Sequence, residues 1–322
     1  MTTTRDARSA TGRTYSRIET VWPGMCGTSA LFAGRLGDWT WQAVAQACQV
    51  DVLRAADPAG QPTYLSFCYF RMRGDGDFHP LTPTFGDQLH VDTRVFAAGA
   101  ESVLTVHRLG LSAAGPDAAG LDDEDFVRPV AGALLVENYN RWVSRRHRSS
   151  NVGLQRCSPV GFGATGLTGA PESVSPRLAC QLARARLSFH DRNLTGSSAG
   201  ARISLRYRVD PSRDLNGVGL LYFASYFSMI DQALLRLYRR EGRPDSEFGN
   251  RVVLDHRLCY LGNTDAGCEI DIDAQRWPVP GRTDRSTVDV VLRDAAADRV
   301  LAVCTVELAE PVPGGLTPEP AR

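Results

Sequence analysis

The sequence contains no lysine, and all 36 of its basic residues are arginine. This absence excludes a lysine Schiff base and the lysine of a phosphate-binding P-loop. The arginines are balanced by 36 acidic residues, so the formal net charge is zero. No whole-chain field therefore attracts nucleic acid or an anionic membrane, and we expect neither as a partner.

Long apolar runs and closely spaced cysteines are also missing. No apolar run reaches the length of a membrane span, and residues 1–14 lack the apolar core of a signal peptide. The eight cysteines are too far apart for a zinc or redox motif. Most lie in apolar stretches, as Cys68 does, and are predicted to be small buried side chains. We expect a reduced, soluble, cytoplasmic protein without metal or organic cofactor.

Two glycine motifs occur in a context that excludes their usual function. Gly161–Gly166 matches G-x-G-x-x-G, but Pro171 follows too soon for the helix that a dinucleotide site needs. Gly196–Gly200 matches G-x-S-x-G, but a predicted strand follows it where a nucleophile elbow needs a helix. We predict loops at both.

The same order of predicted elements occurs twice along the chain: one strand, one long helix, then a run of strands. Apolar residues at helical spacing predict the first helix from about Thr28 to Val50 and the second over 218–240. The pair Cys68–Tyr69 recurs after the second helix as Cys259–Tyr260. These features predict two similar units in one chain.

We place an N-terminal domain at residues 1–145 and a C-terminal domain at residues 146–322. The basic stretch 142–150 is predicted to be the linker, either a solvated arginine-rich surface or a docking patch for an acidic partner. Residues 183–191 are predicted to form a strand of the second domain.

The second predicted helix is apolar on nearly all sides, so it must be buried. Its narrow polar stripe consists of Ser225, Ser228, Gln232 and Arg236. A long helix wrapped by a curved antiparallel sheet is the hot-dog fold. We therefore predict an α+β double hot dog, with two long central helices, and we expect a homodimer formed through sheet edges.

Polar residues and glycines directly precede the second helix: Asp214, Asn216, Gly217 and Gly219. The first turn of a helix has N–H groups without internal acceptors, and its dipole favours a developing oxyanion. In this position Asp214 can act as a base and Asn216 can orient a substrate. Helix capping is the alternative role for both.

This stretch resembles the signature of hot-dog thioesterases, in which an aspartate precedes a glycine-containing turn and an apolar helix. Asp214 matches the catalytic carboxylate of that family. The first half has no carboxylate before its helix and offers Gly27, Thr28 and Ser29 there instead. Two simple thioesterase sites are therefore not expected.

The strand "TYLSFCYFRM" carries candidate tyrosines. Alternation places Tyr64, Ser66 and Cys68 on one face of this strand. The other face then carries Leu65, Phe67, Tyr69 and Arg71. Tyr64 and Ser66 can then meet either residues 28–29 or residues 216–219.

The segments "MCGTSALFAGRLGDWTW" and "PTYLSFCYFRMR" resemble the bifunctional acyltransferase/decarboxylase family of leinamycin-type polyketide biosynthesis. The resemblance implies that methylmalonyl-CoA loses carbon dioxide and that the propionyl group passes to a phosphopantetheinylated acyl carrier protein. It also implies an acyl-O-tyrosine intermediate, matched here by Tyr64, with Tyr69 as the alternative. No metal or organic cofactor is needed, because oxyanion-hole donors stabilise the thioester enolate.

On this basis the predicted catalytic residues are Tyr64, Ser66, Asn216 and Asp214. The predicted substrate-binding residues are Gly27, Thr28, Ser29, Gly217 and Gly219. His79 is a candidate partner for the tyrosine. The alternatives are a thioesterase with Asp214 as base and a noncatalytic acyl-thioester-binding module; a dehydratase is disfavoured because neither helix-start segment contains histidine.

Overall fold

The computed structural model describes residues 12–111, 118, 120–147, 149–164, 166–191 and 199–310, and the backbone of Arg5–Ala7. Of the predicted loop Gly196–Gly200, residues 196–198 lie outside the described residues. Within the described part of the chain, no helix is long and apolar enough to cross a membrane. The same residues contain no cluster of three or more side chains suited to a metal ion.

One antiparallel sheet contains all twelve strands of the described chain. The strands are β1 (Arg5–Ala7), β2 (Thr14–Thr20), β3 (Tyr64–Arg73), β4 (Gln88–Ala97), β5 (Ser102–Leu111), β6 (Leu134–Arg145), β7 (Leu154–Arg156), β8 (Arg202–Arg208), β9 (Val252–Tyr260), β10 (Glu269–Val279), β11 (Arg282–Asp294) and β12 (Arg299–Ala309). The helices are α1 (Ser29–Cys48), α2 (Asp123–Phe126), α3 (Pro176–Arg186), α4 (Phe223–Arg240) and α5 (Asp245–Gly249).

The sheet order has the same pattern in both halves. Strands run β1-β2-β4-β5-β6-β3-β9-β12-β11-β10-β8, and β7 pairs with β6. Counted outward from the β3–β9 contact, the order is β3, β6, β5, β4, β2 in the first half and β9, β12, β11, β10, β8 in the second. In each half the first strand after the long helix is central, then come the fourth, third and second, and the strand before the helix is outermost of the five. The halves meet where Tyr69–Arg73 pairs with Asp255–Cys259; we call this β3–β9 contact the seam.

The long helices α1 and α4 pack against each other and supply apolar side chains to the main core. Phe32 and Leu36 of α1 and Phe227 of α4 are almost completely buried. The Phe223 ring occupies the space beside Gly37, where an added Cβ would lie 2.2 Å from the ring carbon Cζ. The absence of a side chain at Gly37 therefore permits this close helix contact.

The predicted polar stripe of the second helix is largely confirmed. Ser228, Gln232 and Arg236 are exposed on α4, whereas Ser225 is buried. The Ser225 hydroxyl donates to the Asp214 carbonyl oxygen at 3.1 Å. The serine thus joins the helix to the segment that precedes it.

Three sequence predictions were wrong in detail. Residues 183–191 are not a strand, because Pro176 begins α3, whose Ala183 packs on Cys259 and Val303. The second helix begins at Phe223 and not at 218, since a turn intervenes. The start of the predicted linker also belongs to β6, and Trp142 is fully buried.

A β-bulge at Cys68 changes which residues of β3 share a face. The pairing of β3 with β6 shifts register between Phe67 and Tyr69, and a bulge moves the following side chains to the opposite face. Phe67 and Phe70 therefore both enter the main core, while Tyr69 contacts Phe189 on the outer side. The prediction that Tyr69 shares a face with Phe67 was wrong for this reason.

Candidate functional site

The seam opens at one end. The β3–β9 ladder ends at Tyr69 and Cys259, and the earlier residues of β3 pair only with β6. A cavity of 320 Å³ lies in this opening. Its lining residues include Ser66 on β3, Leu221, Phe223 and Tyr226 at the start of α4, and Asn263 after β9.

Hydrogen bonds fix the beginning of α4 at this cavity. The Tyr260 hydroxyl donates to the Phe223 carbonyl oxygen at 3.1 Å, and the Tyr226 hydroxyl donates to the Gly262 carbonyl oxygen at 3.0 Å. Burial raises the pKa of both phenols, so both remain protonated donors at neutral pH. The first-turn N–H groups of α4 have no acceptor within the helix, which makes this a suitable place for an oxyanion.

Asp214 is buried beneath this helix start and does not line the cavity. Its carboxylate accepts the Tyr207 hydroxyl at 2.8 Å, the Asp210 N–H at 2.7 Å and the Arg213 Nε at 3.2 Å. Its carbonyl oxygen accepts the Tyr222 N–H at 2.8 Å. Burial, together with the bond to Asp214, raises the pKa of Tyr207 to about 12. Asp214 thus connects β8 to α4.

Asn216 shapes the turn that follows. Its Oδ1 accepts the Val218 N–H at 3.2 Å, and Gly219 adopts φ +73°, a conformation that favours glycine. The space around Gly217 is open. The Val218 carbonyl oxygen accepts a hydrogen bond of 2.6 Å from Arg145, so the turn contacts the end of β6.

Arg145 joins this turn to Tyr64. The guanidinium carbon of Arg145 lies 5.7 Å from the centroid of the half-buried Tyr64 ring. Arg145 also donates to the Asn151 Oδ1 at 3.1 Å, and Asn151 donates to the Gly219 carbonyl oxygen at 2.8 Å. Tyr64 therefore lies near the turn before α4, on the strand that carries Ser66, but it is not itself among the residues that line the cavity.

The residues at the start of α1 have different surroundings. The exposed Thr28 caps α1, since its Oγ1 accepts the Leu31 N–H at 3.3 Å, and Gly27 has φ +89°. Ser29 is buried; its hydroxyl lies 3.3 Å from both Asp231 Oδ1 and Arg251. These contacts place Ser29 in a buried polar link between α1 and α4.

A loop follows β3 at the other end of the seam, where the Gly74 N–H donates to the Leu254 carbonyl oxygen at 2.9 Å. An added Cβ at Gly74 would lie 2.2 Å from the Phe78 carbonyl oxygen, and Phe78 is buried. His79 belongs to this loop, where burial and the charge of Arg251 lower its pKa to about 4. His79 is therefore placed with the Arg251 group and not with Tyr64.

A second cavity of 620 Å³ adjoins the first and was not predicted. The larger cavity contains an arginine cluster, and three members of it, Arg141, Arg156 and Arg184, also line the smaller cavity, as do Cys68 and Tyr260. This cluster consists of Arg141, Arg156, Arg177 and Arg184. The four come from β6, β7 and α3, so no local motif in the sequence joins them. We call the larger cavity the arginine cleft.

A helix start that opens into a cavity at the centre of a large antiparallel sheet is the arrangement of hot-dog proteins. The model of the LnmK N-terminal hot dog fold domain matches residues 16–191, more than half of the chain. The protein therefore belongs to this family, and the predicted hot-dog fold is confirmed.

Solved structures support the same fold over nearly the whole chain. An oleoyl thioesterase from Lactobacillus plantarum has a TM-score of 0.61 at 10% identity, covering 93% of this chain and 97% of that chain. A 12:0-ACP thioesterase from Umbellularia californica has a TM-score of 0.57 at 10% identity, covering 92% and 93%. At these identities the likeness shows the fold alone. No curated protein matches the chain in sequence.

Proposed function

We propose that the protein decarboxylates methylmalonyl-CoA and transfers the resulting propionyl group, through an ester on Tyr64, to a phosphopantetheinylated acyl carrier protein. The proposal is supported by membership of the LnmK hot-dog family. The observation that carries it is the position of Tyr64, which Arg145 connects to the turn before α4.

The proposed architecture is a double hot dog, with one unit in residues 1–145 and the other in 146–322. Its support is the matching strand order on the two sides of the seam and the long helices α1 and α4. The boundary falls where β6 ends at Arg145. In the first turn of α1 the Leu31 N–H donates to Thr28 and the Ser29 N–H to Asp231, whereas the start of α4 adjoins the open cavity.

Decarboxylation needs stabilisation of negative charge on the thioester oxygen. The bond between Cα and the carboxylate breaks, carbon dioxide leaves, and the electron pair forms an enolate. The first-turn N–H groups of α4, at Phe223 and Ala224, supply dipoles for that oxygen. The cavity lining combines the apolar Leu221 and Phe223 with Arg141, Arg156, Arg184 and Arg299. Against the apolar part of the wall the substrate carboxylate is disfavoured, which promotes its loss. Protonation of Cα then gives the propionyl thioester.

Acyl transfer proceeds by two substitutions at the carbonyl carbon. The Tyr64 oxygen forms an ester bond while the carbon–sulfur bond breaks, and the phenol proton passes to the departing sulfur, so that CoA leaves as the thiol. The carrier thiol then forms a new thioester and displaces the tyrosine oxygen, which recovers its proton. Arg145 places a positive charge over the Tyr64 ring, where it stabilises negative charge that develops in the displacement.

The remaining predicted site residues take supporting roles in this scheme. Ser66 lines the cavity and offers its hydroxyl to the bound thioester. Asn216, Gly217 and Gly219 form the turn that Arg145 contacts. Asp214 holds the helix start in place.

A thioesterase is the second candidate, favoured by the thioesterases among proteins of the same fold. In that mechanism Asp214 would activate water. Both of its carboxylate oxygens accept the Tyr207 hydroxyl, and Asp214 is almost completely buried. Tyr64 is half-buried, and this difference favours the acyltransferase. A noncatalytic module would turn over no thioester.

The test is intact-mass spectrometry after incubation with methylmalonyl-CoA. Wild-type protein is expected to gain one propionyl group, and Tyr64→Phe, which keeps the ring beneath Arg145, is expected to gain none. Tyr69→Phe is the matched control on the same strand and should be acylated like wild type. An adduct that persists in Tyr64→Phe would reject this nucleophile, whereas free propionate or methylmalonate without an adduct would support the thioesterase.

The partners remain proposals as well. The carrier protein would present its phosphopantetheine thiol to the same cavity. A homodimer through exposed sheet edges stays a prediction, and sedimentation of the purified chain tests it directly.

A further inference from the structure

The arginine cleft holds an excess of positive charge. Its four arginines face a single carboxylate, that of Glu101, among the described lining residues. The side chains of Arg156 and Arg184 are exposed, and their guanidinium groups donate no hydrogen bond to another residue in the described part of the chain. Such a positively charged surface attracts anions that carry several negative charges.

Two of these guanidinium groups are held together by one phenol. The hydroxyl of the buried Tyr139 accepts Arg141 at 2.9 Å and Arg177 Nε at 2.8 Å. Arg141 also donates to the Ser102 hydroxyl at 3.3 Å. Neither arginine has a carboxylate partner among the described residues, so a bound anion would relieve the repulsion between them.

The backbone is shaped to admit one of these arginines. Arg177 donates to the Ala98 carbonyl oxygen, and an added Cβ at Gly99 would lie 2.2 Å from its terminal nitrogen. Gly99 also has φ +120°, which favours glycine. The position of Arg177 is thus fixed by the fold before any ligand arrives.

We propose that the arginine cleft binds the phosphate groups of the 3′-phosphoadenosine diphosphate portion of CoA. Arg141 and Arg177 are positioned in advance, and the exposed Arg156 and Arg184 close on the ligand. The inference rests on the proposed use of CoA thioesters. Because this cavity adjoins the one beside Ser66 and Tyr226, the pantetheine arm passes from one to the other.

Charge distinguishes CoA from a carrier protein as the source of the phosphate. A phosphate monoester such as the 3′-phosphate of CoA carries about two negative charges near neutral pH, and the diphosphate adds more. The phosphodiester of a carrier protein has a single negative charge. An anion of several charges matches four arginines and one glutamate, so CoA is the favoured ligand.

Calorimetric titration of the full chain tests the proposal without requiring turnover. The probes are CoA, adenosine 3′,5′-bisphosphate and pantetheine. The double variant Arg156→Gln/Arg184→Gln is expected to bind the first two at least tenfold more weakly than wild type and pantetheine equally. Arg236→Gln is the matched control, because Arg236 is an exposed arginine on α4. Circular dichroism confirms that the variants are folded.

The outcomes separate this inference from the proposed function. Arginine-dependent CoA binding supports the cleft even if methylmalonyl-CoA is not decarboxylated, in which case only the proposed reaction fails. CoA affinity that is equal in wild type and the folded double variant overturns the cleft, whatever the mass spectra show. A tenfold loss for a phosphopantetheinylated carrier, with CoA binding unchanged, also overturns the CoA assignment and identifies the carrier as the source.

Discussion

At the scale of single residues, several of the predicted catalytic and substrate-binding residues make hydrogen bonds that hold the fold together. Asp214 and Ser29 are buried and fully engaged with protein partners. Ser66 instead lines the open cavity, and Tyr64 is half-buried beneath the Arg145 guanidinium group. Burial and hydrogen bonding therefore separate residues of the same chemical type into structural and accessible groups.

Replacement of Asp214 tests that separation. Asp214→Asn is expected to lower the free energy of unfolding by about 2–3 kcal/mol, because hydrogen bonds from Tyr207 and Arg213 lose their charged acceptor. Urea denaturation measures the change. The control, Asp271→Asn, removes an exposed carboxylate bound to Arg206 and should change stability little. Loss of turnover without loss of stability would instead identify Asp214 as a base.

The buried histidine His107 makes stability depend on pH. Its ring nitrogens lie 2.8 Å from the Thr40 and Thr93 hydroxyls, and burial, followed by the charge of Arg17, lowers its pKa to about 3. A lowered folded-state pKa means that the stabilisation is complete above the unfolded value of about 6.5 and is lost as the pH falls toward 3.

His107→Gln should therefore be less stable than wild type by about 1–3 kcal/mol at pH 7. The difference should shrink by up to about 1.4 kcal/mol per pH unit in the acid range. His147→Gln, an exposed histidine, is the control and should follow wild type throughout. A difference that stays constant with pH would contradict the neutral buried state of His107. Urea titrations at a series of pH values provide the data.

At the scale of elements, the contact between α1 and α4 depends on a missing side chain. Phe223 occupies the space beside Gly37 and also packs on Phe67, with ring centroids 4.2 Å apart. Because Phe223 also lines the open cavity, the helix contact and the cavity wall share one side chain.

Gly37→Ala should destabilise the protein by about 1–3 kcal/mol through overpacking. Gly34→Ala is the control on the same helix, since its Cβ would lie 3.2 Å from the movable Tyr222 hydroxyl. There the better helix propensity of alanine, worth about 1 kcal/mol, offsets the closer contact. Equal melting temperatures for the two variants in calorimetry would show that the helices separate readily.

At the scale of the whole molecule, a buried ionic network joins the two halves across the seam. Arg71 donates to both oxygens of Asp255, at 2.9 and 2.7 Å, and lies 3.4 Å from Glu137. Although burial opposes ionisation, the bonds and charge of Arg71 hold the pKa of Asp255 below its ordinary value. Since the sheet is continuous, the halves should unfold in one transition.

Arg71→Met should lower the free energy of unfolding by about 3 kcal/mol. It removes the cation shared by Asp255 and Glu137, although Asp255 keeps its ion pair with Arg257 at 2.7 Å and Glu137 keeps Arg73 at 4.0 Å. Arg206→Met, at an exposed ion pair on β8, is the control and should have little effect. Tryptophan fluorescence and far-ultraviolet circular dichroism should give coincident unfolding curves for wild type. Separate transitions in the wild-type protein would show that the halves fold independently.

The sequence predicts what depends on local periodicity and misses what depends on distant pairing. The limits of α1 follow from helical spacing and from the capping hydroxyl of Thr28. The open seam was not predictable, because it depends on where β3 stops pairing with β9. The bulge at Cys68 likewise has no local signal, and it changed the assigned face of Tyr69.

The unequal ends of the seam have a consequence for stoichiometry. The proposed pair of hot-dog units would, if symmetric, offer two equivalent openings, but at the other end of the seam Phe78 of the loop after β3 is buried in the main core. Sequence divergence within one chain has thus allowed the two ends to differ, which identical subunits cannot do. A thioester analogue should saturate the protein at one equivalent per chain, with a Hill coefficient of one.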